Sequence, residues 1–151
     1  MNFLTNYEVP LRSYIEDGIA LLENTIEGDV RNGGNVDISI LEAEFDRESE
    51  AFISGVTRRV HQIRDEIKSY RPRNVQSADY EIRLIQYRQL LQSSSISMNR
   101  MTDWINELFS QISAILKNIL QWILANSPTI IDVLEQIRDA FKVLVTFLSR
   151  H

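Results

Sequence analysis

The feature that most constrains the fold is an apolar stretch in the C-terminal third of the chain. Residues 104–131 contain only two charged side chains, Glu107 and Lys117, and apolar residues recur three and four positions apart through residue 148. This spacing predicts amphipathic helices, and Asn126-Ser127-Pro128 divides the stretch in two. We expect a helical hairpin over residues 101–151, whose apolar surface must be buried against something.

The hairpin is long enough to cross a bilayer but too polar to do so passively. Asn and Gln interrupt its first arm, and the second carries charges such as Asp132 and Arg138. Each charge would cost about 3 kcal/mol at the bilayer centre. Trp104 and Trp122 lie five helical turns apart on one side, as in an interfacial aromatic belt. The apolar faces could form the core, an association surface or a membrane contact.

The residues predicted to mediate self-association or partner binding share the apolar faces of this hairpin. They are Trp104, Leu108, Ile112, Ile115, Ile119, Trp122, Ile123, Phe141, Leu144 and Phe147.

The rest of the chain also favours helices, because apolar residues repeat at helical spacing and no run alternates as a half-buried strand would. We predict one all-α domain over residues 1–151, with charged amphipathic helices over 1–100. It is a bundle of about five helices, of which the second is long. The first predicted helix runs from Pro10 to near Gly28, and its apolar stripe consists of Leu11, Ile15, Ile19, Leu22 and Ile26. The second runs from about 38 to 71, with an apolar stripe of Ile53, Val56, Val60, Ile63, Ile67 and Tyr70. The third is predicted to begin at Ser77, the fourth at Thr102 or Asp103, and the fifth at Ser127-Pro128.

Short polar motifs mark the predicted helix ends. Residues 31–35 (Arg-Asn-Gly-Gly-Asn) form the strongest loop signal, and either Asp37 or Ser39 can cap the second helix, Ser39 in a capping box with Glu42. Pro72 ends that helix. The serines at 93–95 leave open whether the third and fourth helices are continuous.

Charge is segregated along the sequence. Residues 1–57 hold twelve acidic and three basic side chains, whereas residues 58–100 hold nine basic and four acidic ones. These segments can pair within one molecule or between copies, or the basic segment can bind phosphate. The candidate phosphate-binding residues are Arg58, Arg64, Lys68, Arg71 and Arg73.

The composition disfavours catalysis and metal binding. The chain has no cysteine and only two histidines, His61 and His151, and neither forms a Glu-x-x-His pair. We therefore expect no catalytic residue, no metal, no cofactor and no small-molecule substrate, and hence no enzyme. The first residues lack a secretory signal, which predicts an intracellular, cytoplasmic protein with peripheral membrane association as an alternative.

Three functions follow from these patterns. The leading hypothesis is a helical assembly protein that self-associates or binds a protein partner through apolar helix faces. The alternative is a membrane-perturbing helical hairpin. A weaker alternative is a nucleic-acid-binding accessory factor that uses residues 58–88, weaker because the sequence pI is about 5.1.

Overall fold

The computed structural model describes residues 5–33 and 37–150, and these residues form four α-helices and no strand. The helices are α1 (Thr5–Asn32), α2 (Ile38–Ser69), α3 (Tyr80–Asn126) and α4 (Ile130–Arg150). The prediction of an all-α fold is confirmed. The predicted count of about five helices is wrong, and α3, with 47 residues, is longer than α2, with 32.

The helices form a four-helix bundle in which each packs against two neighbours. α1 contacts α2 and α4, and α3 contacts the same two helices, so the diagonal pairs do not meet. Gly18 of α1 lies against Phe52 of α2, and the Phe52 ring meets the edge of Phe109 of α3, with 6.3 Å between centroids. Arg12 of α1 donates to the carbonyl oxygen of Leu148 in α4. Neighbouring helices are antiparallel throughout.

The third and fourth predicted helices are one continuous helix. No glycine or proline interrupts residues 92–103, so Thr102 and Asp103 lie inside α3 and cap nothing. The Ser93 hydroxyl donates to the carbonyl oxygen of Leu90, and Ser94 is buried. Serine hydroxyls often bond back to the preceding turn in this way, which keeps them compatible with a helix interior.

Several predicted helix ends are confirmed and others shift. Asp37 caps α2, because its carboxylate accepts from the amides of Ser39 and Ile40. α3 begins at Tyr80 and not at Ser77, whose hydroxyl instead bonds to the Asp79 carboxylate. α1 begins before Pro10 and continues past Gly28, and residues 34–35 of the predicted loop lie outside the described residues.

The turn between α3 and α4 also differs from its prediction. Ser127 has φ 43°, and its amide donates to the carbonyl of Ile123, so it ends α3. Thr129 starts α4 through a reciprocal pair of bonds, because its hydroxyl accepts from the Asp132 amide and its own amide donates to the Asp132 carboxylate. Ser127 therefore does not cap α4, and Pro128 precedes the helix.

The core is a single cluster to which all four helices contribute. The predicted stripe of α1 is buried throughout, from Leu11 to Ile26. In α2 the stripe extends back through Leu41 and Phe45, while Tyr70 at the predicted far end is exposed. The second half of α3 and all of α4 form the other half of the core.

The packing of Gly18 generates a stability prediction. A Cβ at residue 18 would lie 2.6 Å from the Phe52 ring, whereas nothing lies within 4 Å of one at residue 28. We expect Gly18→Ala to lower the free energy of unfolding by about 1–3 kcal/mol through overpacking. The matched Gly28→Ala should raise it by about 0.5–1 kcal/mol, because alanine favours the helix. Urea unfolding checks both, and equal effects at the two sites would contradict the assigned packing.

Candidate interaction surface

Most residues predicted to mediate association lie inside the bundle of their own chain. Eight are buried: Leu108, Ile112, Ile115, Ile119, Ile123, Phe141, Leu144 and Phe147. Trp104 and Trp122 are half-buried and pack against the core. These ten positions serve the intramolecular core, so a partner that meets the closed bundle finds other residues.

Trp104 has a specific intramolecular role. Its ring stacks on Phe147 of α4, with centroids 5.9 Å apart and planes 11° apart. The Arg12 guanidinium lies 5.4 Å from its centroid. Stacking and a cation–π contact thus join α1, α3 and α4 at one level of the bundle.

The first third of α3 projects past the other helices. The register set by Phe52 and Phe109 places the end of α2 beside residue 92 of α3, and Ser94 is the first buried residue of α3. Residues 80–93, hereafter the α3 extension, are about 21 Å long and are covered only by the connection 70–79 and the end of α2.

Large exposed apolar side chains are concentrated at this end. Of thirteen such residues in the described part of the chain, six lie between positions 70 and 96. They are Tyr70, Val75, Ile82, Ile85, Leu91 and Ile96. Ile82, Ile85 and Ile96 are each more than half exposed and lie on the side of α3 that faces away from the bundle. This stripe was not predicted from the sequence, although its spacing of three and eleven residues is helical.

Basic side chains are concentrated in the half of the bundle that includes this extension. The predicted phosphate-binding residues Arg58, Arg64, Lys68, Arg71 and Arg73 are all exposed. Among the basic residues at 58–100, only Arg83 forms an ion pair with a described acidic side chain, Asp79, at 2.7 Å. Arg59 instead lies over the Tyr14 ring, 3.8 Å from its centroid. The positive charge at this end is therefore mostly uncompensated within the described chain.

The structure does not bring the five predicted phosphate-binding residues together. Arg71 and Arg73 line a groove with Arg83, Arg58 lines a separate groove beside His61, and Arg64 and Lys68 line neither of these grooves. His61 is exposed there, and His151 lies outside the described residues. Among residues 5–33 and 37–150, no group of three His, Cys, Asp or Glu side chains is arranged to hold a metal ion.

The opposite end of the bundle is acidic. Because α1 and α2 are antiparallel, the second half of α1 and the first half of α2 lie side by side. Residues 16–50 hold eleven acidic and two basic side chains, and we call this surface the acidic end. It also carries exposed apolar residues, Leu21 and Ile40, and Leu124 and Ile131 lie at the same end of the bundle.

Two carboxyl groups face one another across α1 and α2 at this acidic end. Burial raises the pKa of Glu44, a hydrogen bond with the Asp29 carboxyl raises it further, and the Arg47 guanidinium opposes both. Burial and the nearby Glu27 carboxylate likewise raise the pKa of Glu23. The acidic end thus holds more negative charge than its own basic residues neutralise.

This crowding predicts a pH-dependent gain from removing one carboxylate. Since the pKa of Glu44 is raised in the folded chain, ionising Glu44 weakens the fold as the pH rises through that pKa. We expect Glu44→Gln to raise the free energy of unfolding near pH 7, and the gain to disappear below about pH 4, where wild-type Glu44 is also neutral. Glu42→Gln, at an exposed position, is the control. Chemical unfolding at pH 7 and pH 3.5 tests this, and a loss of stability at pH 7 would contradict it.

Comparison of the chain with family models, with curated proteins and with solved structures found no match. The function is therefore inferred from the fold and from the two ends of the bundle.

Proposed function

We propose that this chain is a non-enzymatic helical assembly protein that pairs with a second copy of itself. The two copies lie side by side and antiparallel, so that the basic α3 extension of each contacts the acidic end of the other. The observation that carries this proposal is the separation of unpaired positive and unpaired negative charge to opposite ends of one rigid bundle.

The distance between the two ends of one molecule argues against pairing of their charges within that molecule. α2 carries both signs, with its acidic half first, and its 32 residues are about 48 Å long. The ion pairs in the described chain are local or join adjacent helices, as Glu27 and Arg138 do at 3.2 Å. At 48 Å, several times the Debye length of about 8 Å, the two ends do not attract each other measurably.

Apolar surface supports the same pairing. The chain exposes 9750 Å², whereas a compact monomer of its 17.6 kDa mass exposes about 7,900 Å². Exposed apolar residues lie at both ends, Ile82 and Ile85 on the extension and Leu124 and Ile131 opposite. An antiparallel pair brings these two groups together.

A closed pair satisfies these surfaces better than an open chain of copies. In an antiparallel pair related by a two-fold axis, both extensions and both acidic ends are covered at once. A head-to-tail row would leave one extension and one acidic end uncovered at its termini, and the row would continue to grow. We therefore propose a dimer.

Charge reversal on the extension tests this proposal. We expect the wild-type chain to sediment as a dimer at micromolar concentration and to dissociate as the salt concentration rises. Arg83→Glu with Arg88→Glu should weaken the dimer by at least about tenfold, because the extension would then repel the acidic end. Adding Glu42→Arg and Asp46→Arg to the same chain should restore part of the affinity.

Arg100→Glu with Arg150→Glu is the matched control, since it makes the same change of charge at exposed residues outside both the extension and the acidic end. The proposal fails if wild-type protein is monomeric at tens of micromolar in low salt, or if this control variant weakens the dimer as much as the extension variant.

Membrane association is the second candidate function, and one observation favours it. An 18-residue stretch of α3 has a mean hydropathy of 1.3, and only a third of it is buried in the bundle. A helix of this length and composition can cross a bilayer, although core helices of other proteins have the same composition. In this alternative the bundle opens and the faces that include Ile119 and Phe141 contact lipid.

Vesicle flotation separates the two candidates. Under the self-association proposal, we expect the protein to stay in the soluble fraction with phosphatidylcholine vesicles, and Trp104 and Trp122 to keep their emission maximum. Flotation with vesicles together with a blue shift of the tryptophan emission would favour the membrane function instead.

A further inference from the structure

The connection between α2 and α3 forms a groove rich in arginine. Residues 69–73 and one side of the α3 extension line this open groove, whose volume is about 480 Å³. The lining residues that matter here are Ser69, Arg71, Arg73, Arg83, Gln86 and Tyr87. No acidic side chain lines the groove, although it belongs to a chain of net charge −5.

Local hydrogen bonds hold the connection in place. The amide of Arg71 donates to the carbonyl of Lys68, and the amide of Ser77 donates to the carbonyl of Asn74. The Asn74 side chain accepts from the Gln76 amide as well. The backbone that carries Arg71 and Arg73 is therefore ordered by turns at both of its ends, which lowers the cost of positioning their side chains.

The guanidinium groups in this groove retain unused donors. Neither Arg71 nor Arg73 forms an ion pair with a described acidic residue, and Arg83 uses its Nε to bind Asp79. A guanidinium has five N–H donors, so Arg83 keeps its terminal nitrogens for another acceptor. Hydrogen bonding from Ser77 and the charge of Arg83 lower the pKa of Asp79, so Asp79 is ionised at neutral pH and holds Arg83 in position.

We propose that this groove binds a compact anion with two or more phosphoryl groups. Three arginines match phosphate oxygens through bidentate hydrogen bonds, and Ser69, Gln86 and Tyr87 add neutral donors. The volume of the groove lies within the range of small-ligand sites. An extended nucleic acid is disfavoured because it would also lie near the acidic remainder of the chain, which repels it.

Binding of such an anion would compete with self-association, and only this consequence depends on the proposed function. The groove lies on the surface that we propose covers the acidic end of a second copy. A bound diphosphate would neutralise Arg71, Arg73 and Arg83 and remove the attraction for that end. A phosphorylated ligand would then release the pair into monomers.

Calorimetric titration with inorganic pyrophosphate tests the site, at a protein concentration and salt at which the chain is monomeric. We expect saturable binding that Arg71→Ala with Arg73→Ala weakens by at least about tenfold. Arg58→Ala with Arg64→Ala is the matched control, and it should retain binding within about twofold. An equal loss in both variants would indicate general attraction only, and it would overturn the site, as would the absence of binding to wild-type protein.

A parallel titration with ADP distinguishes the source of the diphosphate. Tighter binding of ADP than of pyrophosphate assigns the site to a nucleotide, and equal binding assigns it to free phosphates. In either case Arg Nε–Hε NMR signals of Arg71, Arg73 and Arg83 should shift on binding, and signals that stay fixed would overturn the assignment. Competition is measured separately, as loss of the dimer at saturating pyrophosphate, so it can fail while the site is confirmed.

Discussion

The contacts of the Phe52 side chain set the relative positions of three helices. The ring occupies the space left by the missing Cβ of Gly18 and meets the edge of Phe109, so α1, α2 and α3 are aligned at one level. Because α3 has 47 residues and its neighbours are shorter, this alignment determines which part of α3 has no helix beside it. The part left over is the extension, with its exposed isoleucines and neighbouring arginines.

Because of this alignment, the segregation of charge along the sequence becomes a separation of charge between the two ends of the bundle. The acidic residues of α1 and α2 are far apart along the chain, but the antiparallel packing brings them together. The basic residues of α2, of the connection and of α3 meet at the other end. The interior faces of α3 and α4 have no part in this separation, because their apolar residues fill the core. The separation of charge between the two ends and the large exposed surface thus both result from the packing of four helices of different length.

Local signals in the sequence predicted the helices well, but they predicted the helix ends and the connections between helices poorly. The apolar stripe from Leu11 to Ile26 predicts a buried helix face, and the structure confirms it. Of the two predicted caps of the second helix, Asp37 and Ser39, the structure confirms Asp37. Ser127 and the serines at 93–95 are each compatible with two structures. A serine hydroxyl can cap a helix, or it can donate to a carbonyl of the preceding turn inside a helix, and only packing decides between the two. This is why five predicted segments became four helices.

The association surface could not be predicted from composition. An apolar helix face has the same sequence pattern whether it packs against its own chain or against another chain. Leu108 and Phe141 were chosen for their apolar character, and they are buried in their own bundle. Ile82 and Ile85 matter more for a partner because they lie on the part of α3 that extends past its neighbours, which depends on long-range register. Arg71, Arg73 and Arg83 likewise line one groove only because the connection after α2 packs against α3.

Distances between two copies test the antiparallel pair most directly. The chain has no cysteine, so a single cysteine in place of Glu81 on the extension, or of Asp46 at the acidic end, accepts one label without side reactions. When the two labelled chains are mixed in low salt, the account predicts efficient energy transfer between positions 81 and 46 of different copies. It predicts much weaker transfer between two copies that are both labelled at position 81, because these positions would lie about 48 Å apart. Efficient transfer for the 81–81 pair, or none for the 81–46 pair, would contradict it.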